Sequence, residues 1–274
     1  MVQGISRSTT SEICNIGNQT NVASSWKTVQ DPLVTANNPY NQEIGQVWLE
    51  QAEGEHASVA SFARHTLQLM SIGAPSELLV ASQKASLDEI KHAKMCYGLA
   101  SSFLGSDFGP GSLDVNESLE RMSVKEIIRS VIQEGCIGET LAAIEARAKT
   151  NNAKDTAVKA VLSKISTDET RHAQLAWDTI KWIIDRYPDT RTFVEKTFHF
   201  ELERHARKDD SQVNVAPCMD SEKDMYLRKY GVLVKEDRDK LREIGIRNII
   251  SPVYQSGFKD VSLISKQILK LNVA

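Results

Sequence analysis

The motif S-x-D-E-x-[K/R]-H-A occurs twice in this chain, as SLDEIKHA from Ser86 to Ala93 and as STDETRHA from Ser166 to Ala173. On an α-helix, at about 100° per residue, positions three apart lie on one side of the cylinder, one turn apart. Glu89 with His92, and Glu169 with His172, therefore each aim a carboxylate and an imidazole in the same direction. A single E-x-x-H means little, and Glu53 with His56 supplies a third that lacks the preceding Asp. Two copies sharing the Asp, the basic residue and the Ala constrain the chain far more. Four ionisable groups near the axis of a helical bundle would lose their hydration without compensation, and a bound cation removes that penalty.

The rest of the pattern supplies the helices. Residues 1–40 are rich in Ser, Thr, Asn and Gln, with Pro32 and Pro39, and read as an extended or disordered lead-in. From about Asn41, the positions Trp48, Ala52, Glu55, Val59, Phe62, Thr66 and Leu69 follow the spacing of one buried helix stripe, ended by Gly73 and Pro75. A second helix, from about Pro75 to Leu104, puts Leu78, Ser82, Ala85, Glu89, His92, Cys96, Leu99 and Phe103 on its stripe. A connection containing Gly105, Gly109, Pro110 and Gly111 follows, long enough to cross a bundle end to end. Ser123 with Glu126 reads as a capping box opening a third helix that runs to about Lys149. After a turn at Thr150, Asn151 and Asn152, Asp155 is the expected N-cap of a fourth helix that ends at Pro188. A fifth helix is expected from Asp189 to about Lys208, SQVNVAPCMD reads as a loop, and KEDRDKLREIGIRNII, from Lys235, reads as an amphipathic helix. The expected fold is all-α: a four-helix bundle over 41–188 with short turns within each helix pair and one long crossover, and accessory helices over 189–274 packed on it.

Two E-x-x-H pairs supply four metal ligands, and helical bundles that hold a metal pair add one Glu from each of the other two helices. On the first helix Glu55 lies on the apolar stripe, whereas Glu50 and Glu53 do not, so Glu55 is the expected ligand and Glu53 a solvated or supporting acid. On the third helix, QEGCIGETLAAIEA offers Glu134, Glu139 and Glu145. Glu139 is preferred because Gly135, Cys136, Ala142 and Ala143 leave room around it, although Glu134 sits at an equally suitable depth.

The net charge of −3, with acids and bases interspersed, gives no electrostatic footprint for nucleic acid or an anionic membrane. No stretch reaches the ~18 apolar residues of a membrane span, and the N-terminal twenty lack an apolar signal core, so a cytoplasmic protein is expected. Cys14, Cys96, Cys136 and Cys218 form no C-x-x-C pair, which argues against a zinc ribbon, a rubredoxin-type iron site or a disulfide framework. Cys96 and Cys136, one turn from His92 and Glu139, stand where they could border the site but are read as packing residues, and His65, His199 and His205 as surface or satisfied histidines.

The order Glu, E-x-x-H, Glu, E-x-x-H over four helices, with GEHASVASFAR on the first and DEIKHA and DETRHA on the second and fourth, resembles the ferritin-like di-iron carboxylate superfamily. That superfamily includes rubrerythrins, ribonucleotide reductase small subunits, tRNA hydroxylases and bacterial multicomponent monooxygenases. The resemblance covers about 41–188. It implies metal ligands Glu55, Glu89, His92, Glu139, Glu169 and His172, with two carboxylates bridging the ions. It further implies that the Asp before each motif Glu hydrogen-bonds the opposite imidazole, pairing Asp88 with His172 and Asp168 with His92. The implied cofactor is two iron ions, with manganese not excluded by the donor set, and O2 as co-substrate. The implied activity is an oxidoreductase that oxidises a small organic substrate by hydroxylation, N-oxygenation or desaturation. The alternative is a ferroxidase, or a peroxide-detoxifying or dimanganese catalase-like protein. Two intact E-x-x-H pairs and the long C-terminal addition depart from storage ferritins, which favours oxidase chemistry in a monomer or homodimer over a hollow shell. The four-Cys domain common in rubrerythrins is missing, so an external electron donor or the substrate must supply electrons. Cys96 stands where radical-generating reductase subunits carry a Tyr, with Tyr97 turned about 100° away, which argues against a stable Tyr radical of that kind.

Overall fold

The structure is a computed structural model that describes residues 25, 26, 28, 32–116, 123–209 and 221–271, with the backbone alone described at 206–209. Most of the expected lead-in, Cys14, Cys218 and the expected loop over 211–220 lie outside the described residues. Among the described residues all regular structure is helical, and no helix is long and apolar enough to cross a membrane.

Helix α1 (Asn41–Ser71) and α2 (Ser76–Leu104) form one hairpin. Gly73, at φ +67°, turns the chain between them, and the backbone N–H of Ala74 reaches back to the carbonyl of Leu69. Gly105, also left-handed at φ +71°, closes α2. The reciprocal Ser123–Glu126 box opens α3, which is α-helical over Val124–Ser130, π-helical over Val131–Glu139 and α-helical again over Thr140–Asn152. The π stretch departs from the uniform α-helix expected there. The helix also runs on through Asn152, moving the turn to 153–155. Asp155 then caps α4 (Thr156–Arg186) by accepting from the N–H groups of Ala157 and Val158. Its other carboxylate oxygen accepts from the N–H of Leu33, at 2.9 Å, so one side chain fixes both the helix start and the segment leading into α1.

Helix α1 packs along α2, α3 along α4, and α2 across α4, while α1 and α3 stand apart. The interior is divided along its length. Ile44, Trp48, Leu99, Phe103, Val158 and Leu162 fill one end, and Ile128, Ile132, Trp177, Ile180 and Ile184 the other. Glu89, His92, Glu169 and His172 are buried at mid-length between these two apolar plugs.

A 3₁₀ turn (Pro188–Thr190) leads to α5 (Arg191–Asp209), within two residues of the expected start. The segment expected from Lys235 is α7 (Lys235–Gly245), continuing through a π turn (Ile246–Ile250) into Ser251–Gln255. Two short helices, α6 (Glu222–Lys229) and α8 (Ile264–Lys270), were not evident from periodicity. The C-terminal helices share their core with α3 and α4: the Trp177 and Phe198 rings stack 5.3 Å apart, and Phe198 in turn packs on Phe258 and Tyr254. On the other side of the bundle, the indole N–H of Trp48 donates to the carbonyl of Tyr230 at 3.1 Å, and the Tyr230 hydroxyl donates to the carbonyl of Leu33 at 2.7 Å.

Because Asp155 closes a helix N-terminus and a tertiary contact at once, Asp155→Ala is expected to lower the unfolding free energy by about 1–2 kcal/mol. Equilibrium denaturation followed by circular dichroism measures this, and a neutral result would show that water replaces both contacts.

Candidate metal centre

Six side chains from the four long helices meet at mid-length. Ligand-type atoms of Glu55 (α1), Glu89 and His92 (α2) and Glu169 (α4) lie within 4.8 Å of one another, and so do those of Glu139 (α3), Glu169 and His172 (α4). Glu169 belongs to both groups, and Glu89 reaches across to the second, its Oε1 standing 3.0 Å from His172 Nδ1. These two carboxylates are thus placed to touch both halves, while Glu55 and Glu139 each belong to one. All six expected residues are brought together.

The imidazoles show what the cluster lacks in protein atoms. His92 Nδ1 faces Glu55, Glu89 and Glu169 at 3.5, 3.8 and 3.3 Å, and His172 Nδ1 faces Glu89 and Glu169 at 3.0 and 3.6 Å. Both Nδ1 atoms are buried, yet neither makes a hydrogen bond of acceptable geometry. An imidazole nitrogen turned into a nest of carboxylate oxygens without bonding to any of them has the disposition of a metal ligand. The donor set also fits in charge, since four carboxylates balance two divalent cations with both imidazoles neutral. Its oxygen-rich composition suits iron or manganese.

Without metal, protons must do the balancing. Burial raises the pKa of Glu89 well above the usual carboxylate range, reinforced by the charges of Glu169 and Glu55. Burial and Glu169 do the same to Glu139. Burial opposes charge on His92, but Asp168, Glu169 and Glu55 outweigh it and lift its pKa to about 12. His172 moves up for the same reason, through Glu169 and Glu139 against its burial. Glu169 moves down despite burial, because both imidazoles meet its charge.

Behind the imidazoles the two motif aspartates differ. His92 Nε2 donates to Asp168 Oδ2 at 3.0 Å, as the repeated motif predicts. Asp88 does face His172 Nε2, but at 3.9 Å, which is too long for a hydrogen bond, and that nitrogen has no other partner. The expected Asp88–His172 bond is therefore not formed in this structure. Asp88 is drawn instead to the basic residues of the motifs, accepting from Lys91 at 2.8 Å and from Arg171 at 3.1 Å. Arg171 also pairs with Asp168, as does Lys164, so one guanidinium joins both aspartates. These cations hold Asp168 well below the ordinary carboxylate range, against its burial and together with His92.

A cavity of about 640 Å³ separates α1 from α3, with Glu55, Glu89, Glu139 and Glu169 among its walls. Glu134 lines it as well but is not in the cluster, because it forms an ion pair with Arg64 of α1. In an α-helix Glu134 and Glu139 would point about 140° apart, whereas the i→i+5 pattern of the π stretch brings residues five apart onto one face. Sequence reasoning preferred Glu139 for its small neighbours and kept Glu134 as an alternative at equal depth, and it is Glu139 that the structure brings into the cluster. That reasoning also passed over Arg64, and Gln51, whose amide donates to Glu55 Oε1 at 3.3 Å, a contact its i,i+4 spacing could have suggested.

The remaining expected residues fall outside the cluster. His56 packs edge-on against Trp26, with ring centroids 5.1 Å apart. Cys96 and Cys136 are fully buried free thiols that do not line the cavity. Tyr97 is buried, and burial raises its pKa. His199 is exposed beside Glu203, and His205 is buried and accepts from Arg242 at 3.0 Å. His65 lines a second cavity of about 50 Å³ next to His172, where burial and Arg64 lower its pKa to about 4. In comparisons with known proteins, no protein-family model, curated protein or solved structure matches the chain.

Two predictions follow from this geometry. His92 and His172, with raised pKa values, and Glu89 and Glu139, raised likewise, hold protons that divalent metal must displace. Metal affinity should therefore rise with pH, and calorimetry in buffers of different ionisation enthalpy should detect net proton release; pH-independent binding would contradict the charge balance described. Second, Asp168→Asn should weaken metal binding by about 10- to 100-fold, and Asp88→Asn by clearly less, because only Asp168 bonds an imidazole directly. Competition titration against a chelator, with helicity checked, ranks the two.

Proposed function

We propose that the cluster is a ferritin-like di-iron centre and that the protein is an oxidoreductase using O2 to oxidise a small organic substrate. The observation that supports this reading most is the 640 Å³ cavity against the four carboxylates. That volume lies in the range of small-molecule sites, roughly 300–1,000 Å³, and a purely structural metal would need no such space. The two helical hairpins, each carrying one D-E-x-x-H-A copy, are read as a ferritin-like four-helix bundle, with residues 189–274 as accessory helices.

Bound iron would supply the electrons and open coordination positions that reduce O2. The chain's own part is positional. Glu55 and Glu139 would each hold one ion, Glu89 and Glu169 both, and the imidazoles would bind through Nδ1. Asp168 keeps the proton of His92 on Nε2, leaving Nδ1 free for metal. The apolar plugs above and below exclude water from the cluster, leaving the α1–α3 slot as the approach.

A second reading, oxidation of ferrous ion itself, draws on the acidic walls of the same slot, where Asp114, Glu134 and Glu145 could conduct cations. Reconstitution under anaerobic conditions followed by elemental analysis should give about two metal ions per chain. No uptake of iron or manganese would overturn both readings. Mixing with O2 then separates them: substoichiometric O2 use that rises with added organic substrate supports the oxidase, and turnover driven by ferrous ion alone supports the other. Glu139→Ala should lose one ion or O2 reactivity, while Glu134→Ala should keep a reactive pair, because Glu134 is committed to Arg64.

A further inference from the structure

The slot between α1 and α3 is crossed at two places by cations. Arg64 of α1 pairs with Glu134 of α3, and Lys149 of α3 donates to the amide oxygen of Gln51 on α1 at 3.1 Å. Gln51 and Arg64 are thirteen residues apart on one helix, or about 20 Å, so the two crossings bracket the space over the carboxylates. They are not equivalent. Arg64 has its charge met by a carboxylate, whereas the bond recorded for Lys149 is to a neutral amide. Glu145, one turn earlier on the same helix and ideally spaced to pair with Lys149, makes no ion pair with it and acts electrostatically on Arg242 instead. Lys149 thus brings a positive charge to the cavity whose partner an incoming anion could replace with gain, since a bond from an ammonium to a carboxylate is stronger than one to an amide.

Resting on the reading of this cavity as the substrate site, we propose that its ligand is a small organic acid whose carboxylate is held by Lys149. The apolar body of the acid would lie over Ala142, Ala146 and Ile165, toward the cluster. A singly charged group is favoured over a phosphate monoester because Lys149 is the one of the two crossing cations not met by a carboxylate, and the same space already contains Asp114, Glu134 and Glu145. Displacing Lys149 from Gln51 would leave the Gln51 amide to donate to Glu55, so occupancy need not disturb the cluster.

The test uses the full chain loaded with zinc, so that it does not depend on oxygen chemistry. The probes are benzoate, phenylacetate and hexanoate, their primary amides, phenyl phosphate and benzylamine, with dissociation constants from ligand-observed NMR titration. The expected result is binding of at least one carboxylate about tenfold or more tightly than its amide. Lys149→Gln should abolish that preference and Lys149→Arg should retain it, both with unchanged helicity and metal content. Absence of carboxylate binding, equal binding of the amide, preference for the phosphate or the amine, or an unaltered preference in Lys149→Gln would overturn the proposal. Absence of any carboxylate preference in the unmutated chain with intact iron-dependent O2 consumption would reject this inference alone, whereas absence of that consumption with intact anion binding would reject the oxidase reading alone.

Discussion

The interior of this bundle must accommodate four carboxylates and two imidazoles, with Glu89, His92, Glu169 and His172 buried and Glu55 and Glu139 half-buried against the slot between α1 and α3. An unpaired buried ion carries a penalty of several kcal/mol, and the apolar side chains above and below contribute roughly 1.5–3 kcal/mol each. The two plugs, anchored by Trp48 at one end and Trp177 at the other, are therefore what makes a polar midsection tolerable. Within that midsection the groups satisfy one another only in part, and the two Nδ1 atoms that find carboxylates without bonding them are disposed as metal ligands would be.

Helix α3 departs from its three counterparts for a related reason. Gly135 lies so close to α4 that a Cβ there would stand 2.5 Å from the Ala176 methyl carbon, so the π stretch is pressed against its partner helix while its opposite side faces the slot. The widened turn gives that side two carboxylates instead of one: Glu139 joins the cluster, and Glu134 is spent on Arg64. The gap between α1 and α3, where backbones do not meet, is bridged by side chains and left open over the cluster.

The support behind the imidazoles is less symmetrical than the repeated motif suggests. Arg171, half-exposed on α4, bonds both aspartates, while Lys91 competes for Asp88 and Lys164 for Asp168. Asp168 satisfies its cations and still reaches His92. Asp88 is left 3.9 Å from His172, so the two halves of the site differ in how firmly the imidazole is oriented. The basic residue in each motif copy thus acts on the aspartate three positions before it, a role its exposed position on a helix would not by itself reveal.

Much of this was written in the sequence. Helical periodicity gave four long helices within a few residues of their bounds, because apolar stripes, the Ser123–Glu126 box, Asp155 and the left-handed Gly73 and Gly105 act locally. The spacing of Glu89 with His92 and Glu169 with His172 likewise assigned four clustered residues, since i,i+3 geometry is fixed within a single helix, and the stripe of α1 chose Glu55 over Glu53. What the chain could not declare were the features that depend on how helices meet. The π stretch arises where α3 presses on α4, and it decided between Glu139 and Glu134 by giving each a different neighbour. The failure of Asp88 to bond His172, and the crossing of Lys149 to Gln51, are competitions among side chains from different helices, and such competitions are settled by distance, which only the packed bundle sets.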